Sequence, residues 1–177
     1  MTIRLYSVFT ATPITLVRFI SFIYIYTITD LHPTPEIFKR LFPLAKQHNL
    51  RIVALNRRDY DGSSLFSPAE LRVLNGPDSL AHADFLKARG SEIANFLAWL
   101  VNKENIPPIT VHDDNKQSGG VVVLGWSAGN ITTVAFLANM DTYPDPVRSV
   151  LDSHIRAQFI YGSSIHLCNT SITYSVK

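Results

Sequence analysis

The stretch Val121-Val122-Val123-Leu124-Gly125-Trp126-Ser127-Ala128-Gly129-Asn130 constrains this chain more than any other. Its opening apolar run is short and bounded by glycines, which suits a strand covered on both faces. Asn130 to Met140 then continues at helical spacing. Between the two lies Gly-x-Ser-x-Gly. A chain that passes so quickly from strand to helix must turn sharply, which strains the serine backbone and lifts its hydroxyl out of the turn. Gly125 and Gly129 flank Ser127, where a Cβ would collide with the neighbouring strand and helix. Ala128 is small for the same reason. Its backbone N–H, at the helix start, points at a developing oxyanion. The bare pattern occurs by chance in roughly one chain in twenty of this length. Its place after a strand and before a helix gives it weight against the plainer reading, a tight turn with a structural serine.

Short apolar segments alternate with helical ones around this stretch. Ile37, Leu41, Leu44, Ala45 and His48 recur at helical spacing, with Pro43 as a kink or restart. Arg51 to Leu55 is a strand candidate, and Asn56 to Ser64 a polar turn. Ser79 to about Asn102 predicts a helix with Ile93, Phe96, Leu97, Leu100 and Val101 on one face, breaking at Gly90 if anywhere. Pro107 and Pro108 stop it. Val111 to Gly120 predicts a polar loop, and Ala157 to Tyr161 a last strand. The pattern predicts an α/β fold with a mostly parallel sheet covered by crossover helices.

Composition divides the 177 residues into three parts. Residues 1–35 form an apolar segment, 36–161 an ordinary mixed domain, and 162–177 an unpatterned Ser/Thr/Ile-rich tail. Residues 14–28 allow a membrane segment, but they fall short of the roughly 20 apolar residues a span needs, and Arg18 interrupts them. Phe22 to Thr29, rich in β-branched and aromatic residues, favours a strand instead. No signal-peptide cleavage pattern follows. A net charge of +2, evenly spread, argues against nucleic-acid binding. Arg57 and Arg58 read as loop cations with carboxylate partners. Cys168 is the only cysteine, so no internal disulfide forms and the compartment stays open, leaning to the cytoplasm.

With these residues in hand, the chain resembles the α/β-hydrolase superfamily over about Ile37 to Tyr161. Its elbow carries the likeness. Arg51-Ile52-Val53-Ala54-Leu55-Asn56-Arg57-Arg58-Asp59-Tyr60-Asp61-Gly62-Ser63-Ser64 resembles the strand and polar loop one crossover unit earlier. The helix with Phe96, Trp99 and Leu100 matches the crossover helix, and Val147 to Tyr161 the short connection and next strand. Within the superfamily it looks most like fungal lipase- or esterase-type enzymes. The resemblance implies Ser127 as nucleophile, the Ala128 N–H as oxyanion donor, and a small-molecule ester as substrate, with no cofactor and no metal. Trp126 would line an acyl pocket or pack under the next loop. Oligomeric state stays open.

Two departures stand against the family pattern. The family's His-Gly oxyanion turn corresponds here to Thr29-Asp30-Leu31-His32-Pro33-Thr34-Pro35, which has no glycine. The triad's acid and histidine normally follow later strands, and only sixteen residues follow Tyr161. Asp152 and His154 precede the last strand and read as solvated loop residues, and His166 serves only if the tail folds back. The chain therefore reads as a truncated member with an incomplete triad, its ends resembling translated intron. The alternatives are a non-catalytic remnant that binds a ligand or partner, and a hydrolase anchored by its N-terminal segment. Other clusters are weak. His112-Asp113-Asp114 lacks a second ligand group. His82 and Asp84 do not share a helical face. His166 and Cys168 are too sparse for zinc. Gly119-Gly120 lacks the following Lys-Ser/Thr of a phosphate loop. Trp99 reads as core or helix packing.

Overall fold

The computed structural model describes residues 5–6, 20–26, 42–48, 50–59 and 63–162. They form a mixed α/β fold. In chain order the elements are β1 (Leu5–Tyr6), β2 (Ile20–Tyr26), α1 (Phe42–Gln47), β3 (Leu50–Asn56), α2 (Pro68–Asn75) and α3 (Ser79–Lys103). A ribbon of β4 (Thr110–Val111) and β5 (Gln117–Ser118) follows. Then come β6 (Val121–Trp126), α4 (Gly129–Ala138), a 3₁₀ turn (Met140–Thr142), α5 (Asp145–His154) and β7 (Ile155–Tyr161). The main sheet has the order β1-β3-β2-β6-β7. β2 pairs in parallel with β3 and β6, β6 pairs in parallel with β7, and β1 runs antiparallel to β3. The strand preference of Phe22 to Thr29 is met over Ile20–Tyr26, and Thr27 to Thr29 lie outside the described residues.

Strand patterning explains the layers. In β3, Ile52, Val53, Ala54 and Leu55 are all buried, as are Val121, Val122 and Val123 in β6. Consecutive strand residues point to opposite faces, so both faces of the central sheet are covered. On one face Val53, Leu55, Val121 and Val123 join α3 residues Ile93, Phe96, Leu97 and Leu100, with Phe136 and Leu151, in a single core. Tyr143 closes it: its ring stacks on Phe136, 6.1 Å between centroids, and its hydroxyl donates to the Phe136 carbonyl. Burial pushes that phenol up to about 12.

Several local expectations change. α3 runs unbroken through Gly90, where a Cβ would lie 2.7 Å from the Ala135 carbonyl oxygen. The glycine lets α4 press against α3 instead of ending the helix. Val111 to Gly120 contains the β4–β5 ribbon rather than only loop. Asp145–His154 is a helix, so Asp152 and His154 are helical rather than loop residues. Only Leu151 of that ten-residue helix is buried, with Val147 and Val150 packed against the core beside it, so its apolar face is short. Trp99 is half exposed and touches Phe96 at 5.9 Å. α2 adds a helix the apolar pattern hides, since none of its residues is buried. A capping box starts it: Ser67 accepts from the Glu70 N–H while Glu70 accepts from the Ser67 N–H.

Candidate active site

The order of the sheet defines where a site can form. The chain goes from β2 outward to β3, then back across β2 to β6 and on to β7. Its direction reverses between β2 and β6, and a crevice opens at the carboxyl ends of parallel strands at such a point. Ser127 immediately follows β6 at that end.

Ser127 sits at φ +53°, in the left-handed region that a non-glycine side chain resists. The surroundings hold it there. Its N–H donates to the Tyr161 carbonyl at 2.9 Å, and the Asn130 side-chain amide donates to the same oxygen at 3.1 Å. The Asn130 N–H returns to the Ser127 carbonyl at 3.0 Å, and the Ile131 N–H to the Ala128 carbonyl at 3.2 Å. These bonds fold the residues after Ser127 directly into α4. Ala128 is the N-cap, with right-handed helical φ and ψ. Its own N–H precedes the first intrahelical acceptor, so helix geometry supplies it no partner. Gly129 is buried in the first turn. Gly125 faces that turn: a Cβ there would lie 2.5 Å from both Asn130 Oδ1 and Thr133 Oγ1. Strand and helix therefore meet at van der Waals contact beneath the serine, as the motif requires.

Trp126 ends β6 beside Tyr161 of β7, and its indole lies over Gly162. A Cβ at Gly162 would sit 2.4 Å from the indole Nε1. The indole thus packs against the end of β7.

Two residues of the site were not assigned roles from sequence. Asn130 is one, with its clamp on Tyr161. The other is Arg57, just after β3, whose Nη1 reaches the Ala128 carbonyl at 3.4 Å. Nothing local in the sequence signals a contact between a loop cation and an elbow so distant along the chain. Its neighbour Arg58 has the carboxylate partners expected of it. Arg58 binds Glu70 through two bonds of 2.7 and 2.8 Å and Glu92 at 3.1 Å, and it donates to the Leu65 carbonyl. Arg89, itself buried, bridges the same two carboxylates. Both guanidinium groups lie against the Phe66 ring, at 5.1 and 5.3 Å. The paired Arg58 guanidinium, with the Ser67 N–H and Arg89, holds the Glu70 carboxyl well below the usual carboxylate range. Glu70 in turn raises Arg58.

No described histidine hydrogen-bonds to Ser127. His154 is at the opposite end of the sheet. It immediately precedes Ile155, which pairs with Val121 at the start of β6. The six residues of β6 separate it from Ser127, roughly 20 Å of strand. Its ring nitrogens lie 2.8 Å from the Val150 carbonyl and 3.1 Å from the Ile106 carbonyl, fastening α5 to the turn after α3. Asp152 is exposed on α5. His112 contacts Ser118 within the ribbon, and His82 contacts the Val73 carbonyl. Asp113 and Asp114 are exposed, and Asp114 pairs with Lys116. Among the described residues no three metal-ligating side chains cluster, and no helix is long and apolar enough to cross a membrane. Residues 29–35 and 163–177, with His166 and Cys168, lie outside the described residues. Comparison with protein-family models, curated proteins and solved structures finds no match.

Proposed function

We propose that this chain is a serine hydrolase of the α/β-hydrolase type, acting on an ester or related carbonyl through an acyl-enzyme at Ser127. One observation carries the reading: a serine at φ +53°, set between a buried parallel strand and a helix start, at the point where strand order reverses. A strained serine in a plain turn would relax unless its surroundings over-determined it. Here the Tyr161 carbonyl accepting the Ser127 N–H, the Asn130 N–H on the Ser127 carbonyl and Arg57 on the Ala128 carbonyl do so.

In this chemistry the Ser127 Oγ attacks the carbonyl carbon and its proton passes to a base. The oxyanion rests on the Ala128 N–H. As the intermediate collapses, the leaving alkoxide takes that proton. Water then repeats the attack and frees the acid. Among the described residues no base or acid is bonded to Ser127, and the scheme leaves both unassigned. No cofactor or metal enters the scheme. A fluorophosphonate probe on the purified chain tests it. Labelling that disappears in Ser127→Ala supports an activated serine, and an unlabelled wild type sinks the proposal.

A second reading is a hydrolase-derived protein that binds without turnover. The absence of a histidine bonded to Ser127 among the described residues favours it. It predicts no labelling and an unchanged fold in Ser127→Ala.

A further inference from the structure

We propose that Arg57 is a positioning residue that holds the Ala128–Gly129 peptide and, through the shared α-carbon, the Ala128 N–H that would face the oxyanion; this rests on the nucleophile reading of Ser127. Arg57 stands at the carboxyl end of β3, and Ala128 follows the end of β6, with β2 between them in the sheet. Its side chain spans that gap to bring Nη1 to 3.4 Å from the Ala128 carbonyl. The same oxygen accepts the Ile131 N–H at 3.2 Å. The Ala128–Gly129 peptide is therefore held from the helix on one side and from the sheet on the other. The Ala128 N–H is attached to the same α-carbon. Fixing the carbonyl limits rotation about Ala128 and so limits the direction in which its N–H points.

The base of this arm is rigid. Arg58, the next residue, is locked by Glu70, Glu92 and the Leu65 carbonyl. Asp59 closes the loop through its N–H on the Ser64 carbonyl and its carboxylate on the Phe66 N–H. A donor carried on a rigid segment positions more tightly than one on a free loop. The β3 end thus supplies two adjacent arginines with separate tasks: Arg58 anchors the loop to α2 and α3, and Arg57 uses that anchor to steady the elbow. A cation resting on the elbow backbone also favours negative charge developing nearby.

The test compares wild type, Arg57→Ala and Arg57→Lys in the full chain. Three readouts are used: fluorophosphonate labelling rate, steady-state hydrolysis of a short-chain p-nitrophenyl ester, and amide hydrogen exchange over residues 126–131. Arg57→Ala should lower kcat and labelling by about tenfold to a hundredfold with little change in KM, as a small misplacement does. Exchange at Asn130 and Ile131, the hydrogen-bonded amides of the first turn, should quicken while the melting temperature stays close to wild type. Arg57→Lys, which keeps a donor and the charge, should recover part of both. Wild-type exchange and labelling in Arg57→Ala would overturn the inference. So would a loss that merely tracks the unfolded fraction and is equal in Arg57→Lys. If the wild type does not label, the nucleophile reading fails, but exchange still decides: quickening upholds the positioning role, and no change removes it.

Discussion

The two ends of the sheet are built for different purposes. At the carboxyl ends of the strands a strained serine is held between the Tyr161 carbonyl and the Asn130 N–H, while an arginine from two strands away bonds the carbonyl of the next residue, Ala128. At the amino ends, His154 ties α5 to the turn after α3 and the β4–β5 ribbon precedes β6, and the left-handed non-glycine residues there, Asn105 and Asn115, sit in turns rather than at the end of a main-sheet strand. Ser127 is closer in sequence to His154 than to Arg57. The parallel direction of β6 and β7 nevertheless carries His154 away and leaves Arg57 within reach of the elbow. In a parallel sheet, strand polarity rather than sequence separation decides which groups can act together.

This contrast can be broken at several points. The largest effect belongs to Ser127→Ala, which should abolish fluorophosphonate labelling without lowering the melting temperature; labelling that persists places the reactive group elsewhere. Next is Gly125→Val beneath the serine. The added Cβ would meet Asn130 Oδ1 and Thr133 Oγ1 at 2.5 Å, and forcing strand and helix apart should cost about 3 kcal/mol in urea unfolding. A cost under about 1 kcal/mol would show that the elbow's support is pliable.

A smaller, pH-dependent effect tests the charged anchor behind Arg57. Glu70 is held below its usual range chiefly by Arg58. A carboxylate depressed in the folded state adds stability that is full above its unfolded pKa, about 4.3, and is lost as pH falls toward the folded value. Wild type should therefore exceed Glu70→Gln in stability at pH 7, and the gap should narrow progressively below about pH 4. A gap that stays constant with pH would remove the charge from the explanation. His154→Ala, at the other end, should leave the labelling rate within about twofold of wild type, since some 20 Å of strand separate it from the serine. A loss matching that of Ser127→Ala would defeat the two-ended picture. Least of all should happen at the exposed Asp114–Lys116 pair, where Asp114→Asn should leave the melting curve unchanged.

The strands and the elbow were legible because their signals are local. Continuous apolar runs mark β3 and β6, a clear stripe marks the second half of α3, and Gly-x-Ser-x-Gly marks the bend. α2 and α5 were harder because each is short, eight and ten residues, less than the roughly 11 over which a helical period can be read, and because they bury almost nothing. The capping pattern Ser67-Pro68-Ala69-Glu70 was present as the one local cue to α2. Gly90 misled because a glycine that ends a helix and one that admits a neighbouring backbone look alike in sequence. Asn130 and Arg57 could not be read as elbow supports, because their partners are set by sheet order rather than spacing.

The clamp on Ser127 has a consequence for synthesis. The carbonyl that receives both the serine N–H and the Asn130 amide belongs to Tyr161 in β7, which leaves the ribosome after the elbow itself. While the chain is still emerging, β6 can take its place beside β2 before this acceptor exists. The left-handed backbone at Ser127 thus gains this restraint only when the following strand is laid down.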